Sequence, residues 1–387
     1  MADTHAVDHP RFQLRWLFDH EHPDGRKCTL GNHRGHGDVP QPLNDDTLVP
    51  RGNRVLYDRV KHGLSAALDA IDRNGTVLLP AYVPGGVTWA VRNAGFDVRY
   101  YPVNADLSLP VGAVAERIDE LDPAAILFIH YFGFADEGFG ELASLARERD
   151  VFLIEDCARG VFGRGHNGRL LGETGDLALF CLHKTLPVPN GGLVVARDAP
   201  VPRPTEQRSE RGTIPRVAAL SVARQAGITL NSTPTIEREP RADIESVTPG
   251  QPGRAPGGLT YRGLNHCRPE AVRAMRCDNY RTLRSLLVDD SGLQVVTPEA
   301  PDGASPYGVA ALAADAESRQ RLVRSLRSRR LPCEAFTWPA VYRHAEAQAS
   351  VGAETLRDRL VVFPTHQELG GRAIERMAAV VAGERKP

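Results

Sequence analysis

One stretch decides how this chain reads: Leu153–Val195, LIEDCARGVFGRGHNGRLLGETGDLALFCLHKTLPVPNGGLVV. It opens on an apolar run ending in Glu155-Asp156, and a second apolar run, DLALFCL, stops just before His183 and Lys184. Runs this short and this apolar, separated by a glycine-rich connection, have the length of buried strands. In open parallel sheets ligands bind beyond the carboxyl ends of the strands. Asp156 and Lys184 are therefore expected at one sheet edge, an acid and an amine facing one crevice.

Working outward, residues 45 to 200 alternate short apolar runs with amphipathic segments. Strands are expected at Thr76–Leu79, Val98–Tyr101, Ala125–Ile129, Val151–Ile154, Leu177–Leu182 and Gly192–Ala196. Helices are expected at Leu56–Ile71, where Leu56, Val60, Leu64, Leu68 and Ile71 share a face, and at Phe139–Arg149. This pattern predicts an α/β fold, a mainly parallel sheet sandwiched by helices. After residue 198 come polar, Pro- and Gly-rich stretches. A long amphipathic helix then starts at Pro269, and an α+β pattern closes with a helix at Arg372–Ala382. The expected organisation is an N-terminal arm (1–45), a large α/β domain (46–250) and a smaller C-terminal α+β domain (260–387).

The 387 residues carry a formal net charge of -1, so no global basic field favours nucleic acid or an anionic membrane. No apolar run is long enough to span a bilayer, and the start, MADTHAVDHPRF, lacks a signal-peptide pattern; a cytoplasmic location is expected. Cys28, Cys157, Cys181, Cys267, Cys277 and Cys333 show no framework spacing and suit reduced thiols. His20, His22, Cys28, His33 and His36 fit no standard zinc finger, so a polar arm is expected there and no metal. Only four lysines stand against 43 arginines, which makes Lys184, within an apolar and glycine-rich region, conspicuous.

Taken singly, Asp156 reads as a strand-end turn residue and Lys184 as a solvated loop cation. Together they are the two residue types a pyridoxal-phosphate enzyme needs, a lysine to hold the aldehyde and shuttle protons and a carboxylate to keep the pyridine nitrogen protonated. Burial lowers the pKa of such a lysine and favours its reaction with the aldehyde. The pair Gly191-Gly192 would let the backbone pass close to a cofactor.

The order Glu155-Asp156, Gly175-Asp176, Lys184, Gly191-Gly192 resembles the signature of the DegT-type (DegT/DnrJ/StrS) sugar aminotransferases, a branch of the fold-type-I pyridoxal-phosphate enzymes. LLPAYVPGGVTWAVRNAGFDVRYYPVNAD, FIHYFGF, DNYRTLRSLL and VVFPTHQEL are similar to further family segments, so the resemblance covers about residues 45 to 385. It implies pyridoxal 5'-phosphate as cofactor, Lys184 and Asp156 as catalytic residues, and a homodimer with its active site at the subunit boundary. RGNRVLYDRV resembles the family's phosphate-binding helix start, which assigns Gly52, Asn53 and Arg54 to the phosphate; the bottom-up alternative is a plain helix N-terminus capped by Asn.

Departures from the family pattern cluster around the lysine. Arg159 stands where Gln or His is usual, near the cofactor's phenolic oxygen. Cys181 lies three residues before Lys184 in a shortened turn that lacks the family's phosphate-contacting serine; Arg54, Arg262 or His183 is expected to compensate. The ring over the cofactor falls at Pro84 by position, with Tyr82 or Trp89 as substitutes or as core residues. His130 is a candidate pocket residue or a hydrogen-bonded turn histidine, and residues from Tyr261 to Asn265 are expected to reach a partner's site. The resemblance implies transfer of an amino group from a donor such as glutamate to a keto group of a sugar or another polar intermediate. A lyase or replacement reaction with the same cofactor, or a non-catalytic homologue, are the alternatives.

Overall fold

The computed structural model describes residues 37–209, 250–290, 292–336, 338 and 344–383. The expected N-terminal cluster of His20, His22, Cys28, His33 and His36 lies outside them, as does much of the linker after residue 209.

Seven strands form the main sheet: β1 (Asn53–Tyr57), β2 (Thr76–Pro80), β3 (Asp97–Tyr101), β4 (Ala125–Ile129), β5 (Phe152–Asp156), β6 (Leu177–Cys181) and β7 (Gly192–Ala196). Their order is β1-β7-β6-β5-β4-β2-β3. The strands from β2 to β6 run parallel, and β7 is antiparallel to both β6 and β1. Four helices pack with them: α1 (Val60–Ala70), α2 (Gly85–Asn93), α3 (Val111–Leu121) and α4 (Phe139–Glu148). Every residue of β4, β6 and β7 is buried, as expected of central strands covered on both faces. The two-residue pleat of β6 sends Leu177 and Leu179 into one apolar cluster and Ala178 and Phe180 into the other.

The expected mainly parallel sheet flanked by helices is thus present, with one local difference. The predicted helix at Leu56–Ile71 begins only at Val60, and Leu56 and Tyr57 belong to β1, paired with Leu193 and Gly192 of β7. Pairing with a fully buried neighbour overrides a helical period carried by a few apolar residues.

The C-terminal part carries a second, smaller sheet. α5 (Gly258–Asn265) and the 22-residue α6 (Pro269–Asp290) lead to an antiparallel sheet of β8 (Gln294–Val295), β9 (Gly308–Leu312) and β10 (Leu360–Pro364). It is accompanied by α7 (Ala316–Ser328), α8 (Val351–Arg359) and α9 (Gly371–Gly383). One cluster of buried residues runs from Val55 and Leu127 in the main sheet to Val309 and Phe363 in the small one. The small unit therefore holds its side chains against the carboxyl edge of the large sheet. No helix among the described residues is long and apolar enough to cross a membrane.

Candidate active site

Asp156 is the last residue of β5, and Lys184 follows β6 through a short 3-10 turn at Leu182–Lys184. Because β5 and β6 are adjacent and parallel, both residues emerge at one edge. The Asp156 carboxylate is buried; its Oδ1 accepts the N–H of Ala158 at 2.9 Å. Burial, then the charge of Arg159, hold the Lys184 amine below its ordinary pKa. Among the described residues nothing hydrogen-bonds to the Lys184 ammonium.

The neighbouring residue Glu155 faces the other way, as the pleat requires. Its Oε2 accepts from Gly172 N–H at 3.0 Å and meets His130 Nε2 at 2.7 Å, and its Oε1 accepts the N–H groups of Thr174 and Gly175. Burial would raise this carboxyl, but the His130 contact and the two amides outweigh it and hold the pKa low. His130 is therefore not a pocket residue. It is 2% exposed, edge-on to Phe128 and Phe139, and it braces the strand end beneath Asp156. His130, Glu155 and Cys157 lie within 4.8 Å of one another, but both oxygens of Glu155 are already engaged, so the cluster is a bracket and not an open metal site.

Gly52, Asn53 and Arg54 are not brought to Lys184. They lie at or before the start of β1, where Asn53 pairs with Ala196, at the opposite end of β7 from Gly192 and Cys181. Arg54 instead donates to the carbonyls of Val49 and Pro50 and to Asp46. The helix start at the Lys184 edge is that of α1. A Cβ on Gly192 would come within 2.2 Å of Val60 N, and Gly191 N–H donates to Asp58 O. Gly192 thus serves this close approach between β7 and α1, and Gly191 stands at φ +127°.

Cys181 Sγ lies 3.5 Å from His183 Nδ1. Burial raises the Cys181 thiol, but His183, Lys184 and Arg159 overcome it and bring it down to about 7. Tyr82 is fully buried, donates to Phe336 O and is covered by Trp338 with ring centroids 4.3 Å apart; Trp89 carries Lys61 over its face at 3.9 Å. Both rings are occupied within the protein, and Pro84 precedes α2 as its N-cap. Tyr261 is buried within its own chain, against the cluster around Leu182 and Val188; Asn265 ends the same helix and is partly exposed.

Arg159 is 9% exposed, and its guanidinium is ringed by Phe132, Tyr307, Phe336 and Trp338, with Cζ 4.5–5.9 Å from their centroids. Three of these rings and a buried acid, Glu334, come from the C-terminal unit and escape the sequence reading. Tyr307 O–H donates to Glu334 Oε1 at 2.7 Å, and burial raises Glu334 despite the opposing charge of Arg159. The only local signal was a glutamate inside the apolar run LPCEAF.

A bound pyridoxal phosphate can be tested against these residues. The amine is half-buried with a depressed pKa, and the buried carboxylate sits on the adjoining strand end. Arg159 Nε beside them is buried without a hydrogen-bond partner. The donor set fits the group: an amine for the aldehyde, an acid for the ring nitrogen, a cation for an anionic oxygen.

Residues 61–213 match the model of the DegT/DnrJ/EryC1/StrS aminotransferase family. A 76-residue stretch is 36% identical to GDP-perosamine synthase of Escherichia coli O157:H7, covering 19% of this chain and 20% of that protein. The chain thus matches about a fifth of that relative's length. Among solved structures, the aminotransferase TlmJ from Streptoalloteichus hindustanus superposes with a TM-score of 0.65 over 91% of this chain and 92% of its own, at 20% identity. PseC of Helicobacter pylori, an aminotransferase involved in the biosynthesis of pseudoaminic acid, gives 0.67 over 91% and 93%, at 13% identity. At these identities the superpositions speak for the fold. The segment that carries Asp156, Arg159, Cys181, His183 and Lys184 is thus similar to the DegT/DnrJ/EryC1/StrS aminotransferase family.

Proposed function

We propose that this protein is a pyridoxal-phosphate-dependent aminotransferase that moves an amino group from an amino-acid donor such as glutamate to a keto group of a sugar or other polar intermediate. The observation that carries this reading is the pairing of Asp156 and Lys184 on adjoining strand ends, with the amine's pKa depressed. When bound, the cofactor supplies an aldehyde that carries the amino group and a protonated ring that takes up an electron pair. Lys184 would hold the aldehyde, and its Nζ would serve as the base and acid that moves a proton between carbons. A depressed pKa suits that work, because the amine must be neutral to accept the proton. Asp156 would keep the ring nitrogen protonated. The Glu155–His130 bracket fixes the strand end from which Asp156 projects. Arg159 would meet an anionic oxygen of the group, and the start of α1, with His183 and Cys181, would hold its phosphate.

The exchange balances without an external oxidant: the donor leaves as its 2-oxo acid, and the acceptor's C=O becomes C–NH2. The reading includes a cytoplasmic homodimer with small-molecule substrates. Incubation of the holoenzyme with L-glutamate and a panel of keto sugars tests it. Formation of 2-oxoglutarate supports the reading, and its absence with all common amino donors overturns it.

A further inference from the structure

Two arginines are buried near the Tyr307 ring, and they are used differently. Arg276, fully buried, donates to Pro306 O at 3.0 Å, to Gln367 Oε1 at 2.8 Å and to Tyr307 O at 3.2 Å. Each of its three nitrogens has an acceptor, as in a structural cation. Arg159, whose Cζ lies 5.1 Å from the Tyr307 centroid, makes no hydrogen bond to any described residue, and its Nε is buried with no partner.

A guanidinium carries five N–H donors and is matched in shape to a carboxylate. Aromatic faces stabilise its charge but satisfy none of those donors. A single ring oxygen of the cofactor leaves most of them unused. A second unsatisfied atom belongs to the same group of side chains: Glu334 accepts Tyr307 O–H on Oε1, while its Oε2 is buried and unpartnered. Arg159 and Glu334 are not in ion-pair contact, although each influences the other's charge. A ligand atom between them would meet the donors of one and the free oxygen of the other.

We propose that Arg159 and Glu334 form the subsite that takes the carboxylate of the amino donor. This rests on the aminotransferase reading and adds the residues that recognise the donor. The guanidinium pairs with the carboxylate through its fork. Glu334, whose carboxyl burial holds above its ordinary range, would donate from its unpartnered Oε2 when protonated. The aromatic ring of Phe132, Tyr307, Phe336 and Trp338 holds the guanidinium in place and keeps water away from the pair, where a charge-assisted hydrogen bond is strongest.

The test is calorimetric titration of the holoenzyme with glutarate, a dicarboxylate that has no amine and cannot react, in wild type and Arg159→Met. The visible band of lysine-bound cofactor and the melting temperature are recorded for both. Removing one partner of a buried charge pair is expected to weaken glutarate about 30-fold or more, in a variant that still carries borohydride-reducible cofactor even if its band moves. Affinity within about threefold of wild type, in a variant that melts normally and still carries the cofactor, overturns the proposal. Should Arg159→Met fail to fold, Arg159→Lys keeps the charge but loses the fork and is read in the same way: a loss of about tenfold supports the subsite, and unchanged affinity overturns it. If glutarate binds through Arg159 while glutamate never yields 2-oxoglutarate, the aminotransferase reading fails and the carboxylate subsite stands. If amino transfer proceeds and Arg159→Met binds glutarate normally, the subsite alone falls.

Discussion

Replacing Glu155 by Gln tests how the strand end beneath Asp156 is held. The wild-type carboxylate is 1% exposed and receives His130 Nε2 and Gly172 N–H on one oxygen and two backbone N–H groups on the other. An amide in its place presents an NH2 to one of these pairs. If it turns toward Thr174 and Gly175, two buried N–H groups lose their acceptor. If it turns toward His130, the imidazole can change tautomer and accept from it, leaving Gly172 N–H unpaired. At about 1–3 kcal/mol for each unsatisfied buried donor, with the loss of charge assistance added, the expected cost is about 2–4 kcal/mol. For a chain of this size that lowers the melting temperature by roughly 2–5 °C.

The sign with pH follows from the low pKa of Glu155 in the fold. A carboxyl depressed on folding stabilises the native state above its ordinary value of 4.5, and the contribution is lost as pH falls through the folded value. The gap between wild type and Glu155→Gln should therefore be full at pH 7 and shrink below about pH 4.5. Thermal melts followed by circular dichroism at several pH values provide the measurement. A variant that melts within about 1 °C of wild type at pH 7 would refute the bracket.

Three other outcomes follow from the same geometry. Asp156→Asn should retain cofactor on Lys184 but lose about 100-fold or more in amino transfer, measured as 2-oxoglutarate release, because an amide does not keep the ring nitrogen protonated. Arg54→Ala should leave the cofactor dissociation constant unchanged, because Arg54 is bonded to Val49, Pro50 and Asp46 at the far end of β7; its cost is about 1–3 kcal/mol of stability in urea melts. Cys181, with its thiol brought down to about 7, should show ultraviolet thiolate absorbance in the cofactor-free protein with a midpoint near that value, and Cys181→Ser should abolish that phase.

Much of this was legible in the sequence because the central strands are continuous apolar runs. Ala125–Ile129 and Gly192–Ala196 appear with the expected bounds, and Asp156 and Lys184 lie at strand ends where the flanking residues place them. What misled were residues whose role depends on partners distant in the chain. Arg54 and Asn53 sit in a glycine-containing turn-like context, but pairing with β7 extends them into a strand and turns them away. His130 ends a strand beside the site, yet the pleat delivers it to Glu155. Gly192 is required by the proximity of α1, which no local pattern reveals. Glu334 and Tyr307 have no fixed spacing to Lys184; the C-terminal unit brings them there by packing on the same core.

The identity of the lysine that holds the cofactor is the claim on which the rest depends. Purified protein incubated with pyridoxal phosphate, treated with borohydride and digested should yield one reduced pyridoxyl adduct by mass spectrometry, on the peptide containing Lys184. The visible band seen before reduction should be absent from Lys184→Ala. A colourless wild type, or a Lys184→Ala variant that keeps a borohydride-reducible adduct, would contradict the account.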